Sequence, residues 1–98
     1  NGEEELGRVL MKGFIHSLCE INTSLRTLIF MNSGVFLTTE GSSVLESLKL
    51  LEEKGVEILS CGTCLDYYHL KDKLMAGSVT NMYTAMEILT GAEKSLVI

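Results

Sequence analysis

The segment VEILSCGTCLDYYHL, Val56 to Leu70, runs from a short apolar stretch into two cysteines separated by two residues. VEILS has the length and composition of a strand, with the β-branched Val56 and Ile58 on one face. Gly55, just ahead of it, is placed to close a preceding helix as a left-handed cap. Beyond the cysteines, Leu65 to Met75 reads as a short helix with Leu70 and Leu74 inward and Gly77 as its stop. A strand that delivers Cys61 at its carboxyl end and turns at once into a helix is the repeating unit of a parallel α/β sheet.

The flanking segments repeat that unit. Upstream, RTLIFM (Arg26 to Met31) reads as a strand buried on both faces, followed by Asn32, Ser33 and Gly34 and a loop that continues through VFLTTEG. A helix is expected from Ser42 or Ser43, with Ser43 and Glu46 in capping-box spacing and Val44, Leu48 and Leu51 on its inner face. Earlier still, Glu3 to Glu20 is an amphipathic helix with Leu6, Leu10, Phe14 and Leu18 on one face, flanked by Val9, Met11 and Ile15, and three acids in its first turn, broken by Asn22, Thr23 and Ser24. Downstream, Ser78 to Thr80 is a brief strand. Asn81 to Thr90 comes next as a helix carrying Met82, Ala85, Met86 and Leu89 on one side as ordinary core, and SLVI is a last strand. The expected fold is α/β, a mainly parallel sheet with helices on both faces. Such a domain normally begins with a strand, so a first, central strand is expected to lie upstream or to come from a partner.

Composition narrows the function classes. The 98 residues make one domain, 1–98, and 46% hydrophobic with 21% charged residues is the make-up of a folded globular chain. The net charge of -5 comes from thirteen acids against eight scattered bases, which leaves no clustered positive surface for a phosphate backbone, so nucleic acid is excluded as a partner. No apolar run is long enough to span a bilayer and no signal-like start is present. Three cysteines do not make a disulfide framework, and a reducing, cytoplasmic setting fits them better.

In open parallel sheets, ligands bind beyond the carboxyl ends of the strands. Asn32, Ser33 and Gly34 come after one such end, Cys61, Gly62, Thr63 and Cys64 after another, and Thr80 with Asn81 after a third, so all are expected on one rim. A thiol before a helix start is placed for activation, because unpaired amides favour the thiolate. Gly62 and Thr63 keep the turn small and leave amides free to face an anion. The pair reads in four ways: a sulfur carrier at Cys61, a dithiol redox couple, half of a zinc site with His69 and Asp66, or buried strand-end thiols. A thioredoxin-like couple wants a proline opposite the pair, and the chain has no proline. A structural zinc site wants four ligands. Asn32 and Asn81 are expected either to line the site or to cap the next element. His16 is expected to be solvated, Cys19 half-buried, and Tyr67 and Tyr68 to fill core or subunit contacts.

The segments LGRVLMKGFI, FMNSG with LTTEGS, EKGVEILSCGTCLDYY and VTNMYT resemble the DsrE/F-like family over essentially the whole chain, and within it the C-terminal domains of YedF-type proteins associated with selenium metabolism. The resemblance implies a Rossmann-like three-layer α/β/α fold, usually assembled into homo-oligomers. It also implies a persulfide-carrying role for Cys61, with Cys64 as a second thiol, and no cofactor. Its implied partners are sulfur or selenium donor and acceptor proteins, such as the TusA-like domain that accompanies YedF-type domains. That domain carries a Cys-Pro motif, which this chain lacks. The alternative function is a non-catalytic oligomerising or regulatory module that binds a small anionic or thiol ligand in the crevice.

Overall fold

The computed structural model describes residues 2–21, 24–91 and 93–98, with side chains from Glu5 onward. The helix break expected at Asn22 and Thr23, and the acidic side chains of Glu3 and Glu4, lie outside the described residues and side chains. The element order is α1 (Gly2–Glu20), β1 (Leu25–Phe30), a 3-10 segment (Asn32–Leu37), α2 (Leu45–Glu53), β2 (Glu57–Cys61), α3 (Gly62–Tyr67), a second 3-10 turn (Lys71–Lys73), β3 (Ser78–Thr80), α4 (Met82–Leu89) and β4 (Lys94–Val97).

The four strands form one sheet in the order β3-β2-β1-β4, and every pairing is parallel. This is the α/β architecture expected from the sequence. The inner strands β1 and β2 carry the apolar residues, which fall alternately to the two faces. Leu28 and Phe30 of β1 and Ile58 of β2 join Ile15 and Cys19 of α1, Leu48 and Leu51 of α2 and Leu65 of α3 in the larger core. Ile29 of β1 and Leu59 of β2 point the other way, onto Ala85 of α4. Right-handed crossovers dictate this layering: β1 to β2 and β2 to β3 step in one direction, so α2 and α3 share a face, while β3 to β4 returns and puts α4 on the other.

Several boundaries and faces depart from the sequence reading. The sheet's interior is filled by β1 and β2, hydrogen-bonded to each other and to β4 and β3, so a further strand could pair only at an edge and not at the centre. On α1 the buried positions are Ile15 and Cys19 with Met11 and Leu18 beside them, whereas Leu6, Leu10 and Phe14 are exposed. The inward stripe thus runs through the expected flank, Met11 and Ile15, to Leu18 and Cys19. The capping box does not form: Val44 precedes α2 without a side-chain cap, and Ser42 instead accepts the Val44 amide at 3.2 Å.

The helix after the cysteines is six residues long, not eleven, and ends at Tyr68 and His69, the latter at φ 58. Its early stop lets Leu70 turn back into the core, where it is buried. On α4 only Ala85 is buried; Met82 and Met86 are exposed, so the methionine face is not the core expected of it. Cys19 is buried and donates its thiol to the Ser47 carbonyl at 3.3 Å. His16 is exposed, 3.6 Å from Glu20, as expected.

Gly55, at φ 97, closes α2 as read from the sequence. Gly77, at φ 74, is not a helix stop but the turn that lays β3 beside β2, where a Cβ would strike the Ile58 carbonyl. Gly41 also has a positive φ, 92, but open space around it. Both Gly77→Ala and Gly41→Ala should therefore destabilise, the second by about 1 kcal/mol from backbone strain alone and the first by at least about 2 kcal/mol more. Urea midpoints at unchanged m-value would check the difference; equal losses would deny the close approach at Gly77.

Candidate functional site

Cys61 ends β2, pairs in register with Thr80 of β3, and stands at the start of α3 in an extended conformation, φ -66 and ψ 121. It is buried, at 3% exposure. Cys64 lies one turn on and is half-buried; its sulfur accepts the backbone N–H of Asn32 at 3.1 Å. Both thiols are free. Burial pushes the Cys64 thiol above its ordinary value of 9.0, and the shared hydrogen bond with Cys61 and the charge on Cys61 add to this, against a lowering by the Asn32 amide. Cys64 therefore rests as a thiol.

The Asn32 amide reaches Cys64 because the chain after β1 folds back sharply. Asn32 itself takes φ 51, a left-handed conformation that asparagine tolerates better than most residues. Gly34 sits so close to the last residue that a Cβ would lie 2.5 Å from the Ile98 carbonyl oxygen, and Met31 donates to that same oxygen at 2.9 Å. Ser33 is exposed. Thus, of this loop, it is a main-chain group of Asn32 that reaches a sulfur, while Gly34 permits the packing.

A second support was not singled out in the sequence. The buried hydroxyls of Ser60 and Thr38 lie 2.7 Å apart, and Thr38 also donates to the Val35 carbonyl at 3.0 Å. With its proton spent on Val35, Thr38 accepts from Ser60. This ties the residue before Cys61 to the segment that carries Asn32. The available signal was two hydroxyl residues, Thr38 and Thr39, in an otherwise apolar loop; nothing local says that they turn inward. Thr38→Val should cost about 1–3 kcal/mol, because Ser60 is left buried without its acceptor. A Ser60→Ala, Thr38→Val double variant should recover part of that loss in chemical denaturation, and strict additivity would show that the two hydroxyls act independently.

The remaining expected residues gather elsewhere. Gly62, Thr63 and Asn81 line a cleft of about 580 Å³ that runs along β2 and β3 from Glu57 to the loops at their carboxyl ends, together with Asp66, Lys71 and Thr84. Neither Cys61 nor Cys64 is among its lining residues. The single rim expected from the sequence is thus two places on either side of the Cys61–Gly62 turn: a thiol pair under the Asn32 loop, and a polar cleft. Asn81 caps α4, its side chain accepting the Thr84 amide at 2.9 Å, which was its alternative reading. Among the described residues Cys61, Cys64 and His69 do not gather into a group that could hold a metal ion. Tyr68 packs edge-on against Phe36 at 4.7 Å between ring centres, and Tyr67 is exposed. No helix is long and apolar enough to cross a membrane among the described residues.

The raised Cys64 pKa has a direct readout. In the reduced protein, the rate of Cys64 alkylation should rise with an alkaline midpoint above 9.0, and Cys61→Ala should move that midpoint down by removing both a hydrogen-bond acceptor and a like charge. Peptide-resolved iodoacetamide kinetics would check this, and a midpoint below 9.0 in the parent protein would contradict the burial argument.

The sequence profile of the DsrE/DsrF-like family matches residues 10–96, a span that contains β1 to β3, α2 to α4 and both thiols. No curated protein matches the sequence.

Proposed function

The chain belongs to the DsrE/DsrF-like family, which is associated with sulfur relay, and we propose that it acts as a carrier of sulfur or selenium loaded on Cys61. The observation that supports this most is the arrangement of the pair: Cys61 at the strand end, with Cys64 one turn on, kept protonated by burial and positioned by the Asn32 amide.

The Cys61 thiolate attacks the outer sulfur of a donor persulfide, R–S–SH. A new S–S bond forms on Cys61, the donor's S–S bond breaks, and the donor leaves as a thiol once it takes up a proton. An acceptor thiolate then attacks the outer sulfur and returns Cys61 to its starting state. A competing discharge is attack by Cys64 on the inner sulfur, which releases hydrosulfide and leaves a Cys61–Cys64 disulfide. That route needs the Cys64 thiolate, and the raised Cys64 pKa suppresses it near neutral pH. While Cys64 stays protonated, discharge goes to an acceptor thiolate; the disulfide route opens only when a base takes the Cys64 proton.

The same reading includes a homo-oligomer, a YedF-type place in selenium metabolism, and donor and acceptor proteins such as a TusA-like domain. Cys61 is buried in the single chain, so loading requires that a partner or a motion of the Asn32 loop open it.

Intact-mass analysis after incubation with a persulfide (R–S–SH) or perselenide (R–S–SeH) donor tests the carrier role. One added sulfur or selenium on Cys61, removed by reductant, absent in Cys61→Ser and longer-lived at alkaline pH in Cys64→Ser, is the expected result. Equal loading of the parent and Cys61→Ser proteins would reject Cys61 as the carrier. No adduct on any thiol would favour a module that binds ligand without sulfur chemistry.

A further inference from the structure

The cleft between β2 and β3 is where the two faces of the sheet part company. The chain leaves β2 into α3 on the larger-core face and leaves β3 into α4 on the other, so the loops at these neighbouring strand ends diverge and open a crevice between them. Gly62 keeps it open. A Cβ there would sit 3.1 Å from a Val79 methyl and 3.4 Å from the Thr80 carbonyl, so a larger residue would push β3 away or fill the space.

The cleft is charged at both ends. Lys71 and Asp66, 3.3 Å apart, stand at its carboxyl end above Gly62, and Glu57, the first residue of β2, lies at the other. Between them, Leu59 and Ile88 supply an apolar surface. The hydroxyl of Thr80, a buried residue, makes only a 3.5 Å contact with the Asn81 carbonyl, so it retains most of its capacity to bond. One cation against two carboxylates disfavours a simple anion, and Lys71 disfavours a simple cation. A molecule with a carboxylate at one end and an ammonium at the other complements both.

The ends also set a length. From Glu57 to Cys61 the chain of β2 rises four steps, roughly 13 Å at about 3.3 Å per residue, which side chains reaching inward shorten to the extent of about three residues of extended peptide. A single amino acid cannot touch both ends.

We propose that this cleft binds a short zwitterionic peptide, whose terminal carboxylate displaces Asp66 from the exposed, weakly held Lys71–Asp66 pair and whose terminal ammonium sits on Glu57. The site is separate from the thiol pair, and its occupancy requires no sulfur chemistry.

Titration of the reduced, nitrogen-15-labelled chain with tri-alanine tests the proposal by amide chemical shifts. Saturable shifts centred on Gly62, Thr63, Thr80, Asn81 and Thr84 are expected. Affinity should fall about tenfold when either peptide end is blocked by acetylation or amidation, and similarly in Lys71→Met and Glu57→Gln, the loss of one charge-assisted hydrogen bond. Free alanine should bind more weakly than the tripeptide. Absence of saturation at tens of millimolar, equal binding of the blocked peptides, or equal binding of alanine would each overturn it. Because the readout involves neither thiol, such a failure would leave the carrier reading standing.

Discussion

Parallel strands can be joined only by crossovers that carry the chain back to the same end of the sheet, and in this molecule those crossovers step out from β1 to β3 and then return to β4. Everything of chemical interest depends on that reversal. Parallel pairing by itself brings the exits of β1, β2 and β3 to one end; the reversal sends the exits of β2 and β3 to opposite faces, so that Cys61 and Gly62 stand at a dividing line. On one side the polypeptide is packed tightly enough to aim a main-chain amide at a sulfur; on the other it opens into a cleft.

The thiol pair combines reactivity with restraint. A buried sulfur without a donor would be a poor thiolate, and one with several donors would be ionised at rest and open to oxidation. Cys64 has one amide donor, from Asn32, set against burial and a neighbouring sulfur, and the balance favours the thiol. That balance depends on geometry built far from the motif: the left-handed Asn32, the absence of a side chain at Gly34 against Ile98, and the Ser60–Thr38 hydroxyl pair beneath.

The two faces of the sheet are covered unequally. Three helices pack on one face, and a single eight-residue helix spans the other, leaving Met82, Met86 and Val97 exposed. The outer stripe of α1, from Leu6 to Phe14, is exposed as well. An apolar surface of this extent on so small a chain agrees with the homo-oligomer included in the proposed function.

By itself the sequence determined the order of elements, the parallel sheet, the buried apolar strands and the placement of Cys61 at a strand end, because each is set by local periodicity and by glycine or polar residues at the breaks. The left-handed cap at Gly55 and the helix cap at Asn81 were legible for the same reason: a cap is made by residues within one turn of each other. Only the tertiary structure decided which stripe of α1 faces inward, since that depends on where the sheet ends beneath the helix. It likewise decided that α3 stops at Tyr68, where the burial of Leu70 outweighs helical continuation. The division of the expected rim into a thiol pair and a cleft, and the inward turn of Thr38 onto Ser60, rest on contacts between segments more than twenty residues apart. No local pattern encodes such contacts, because they exist only once the crossovers have brought the strand ends together.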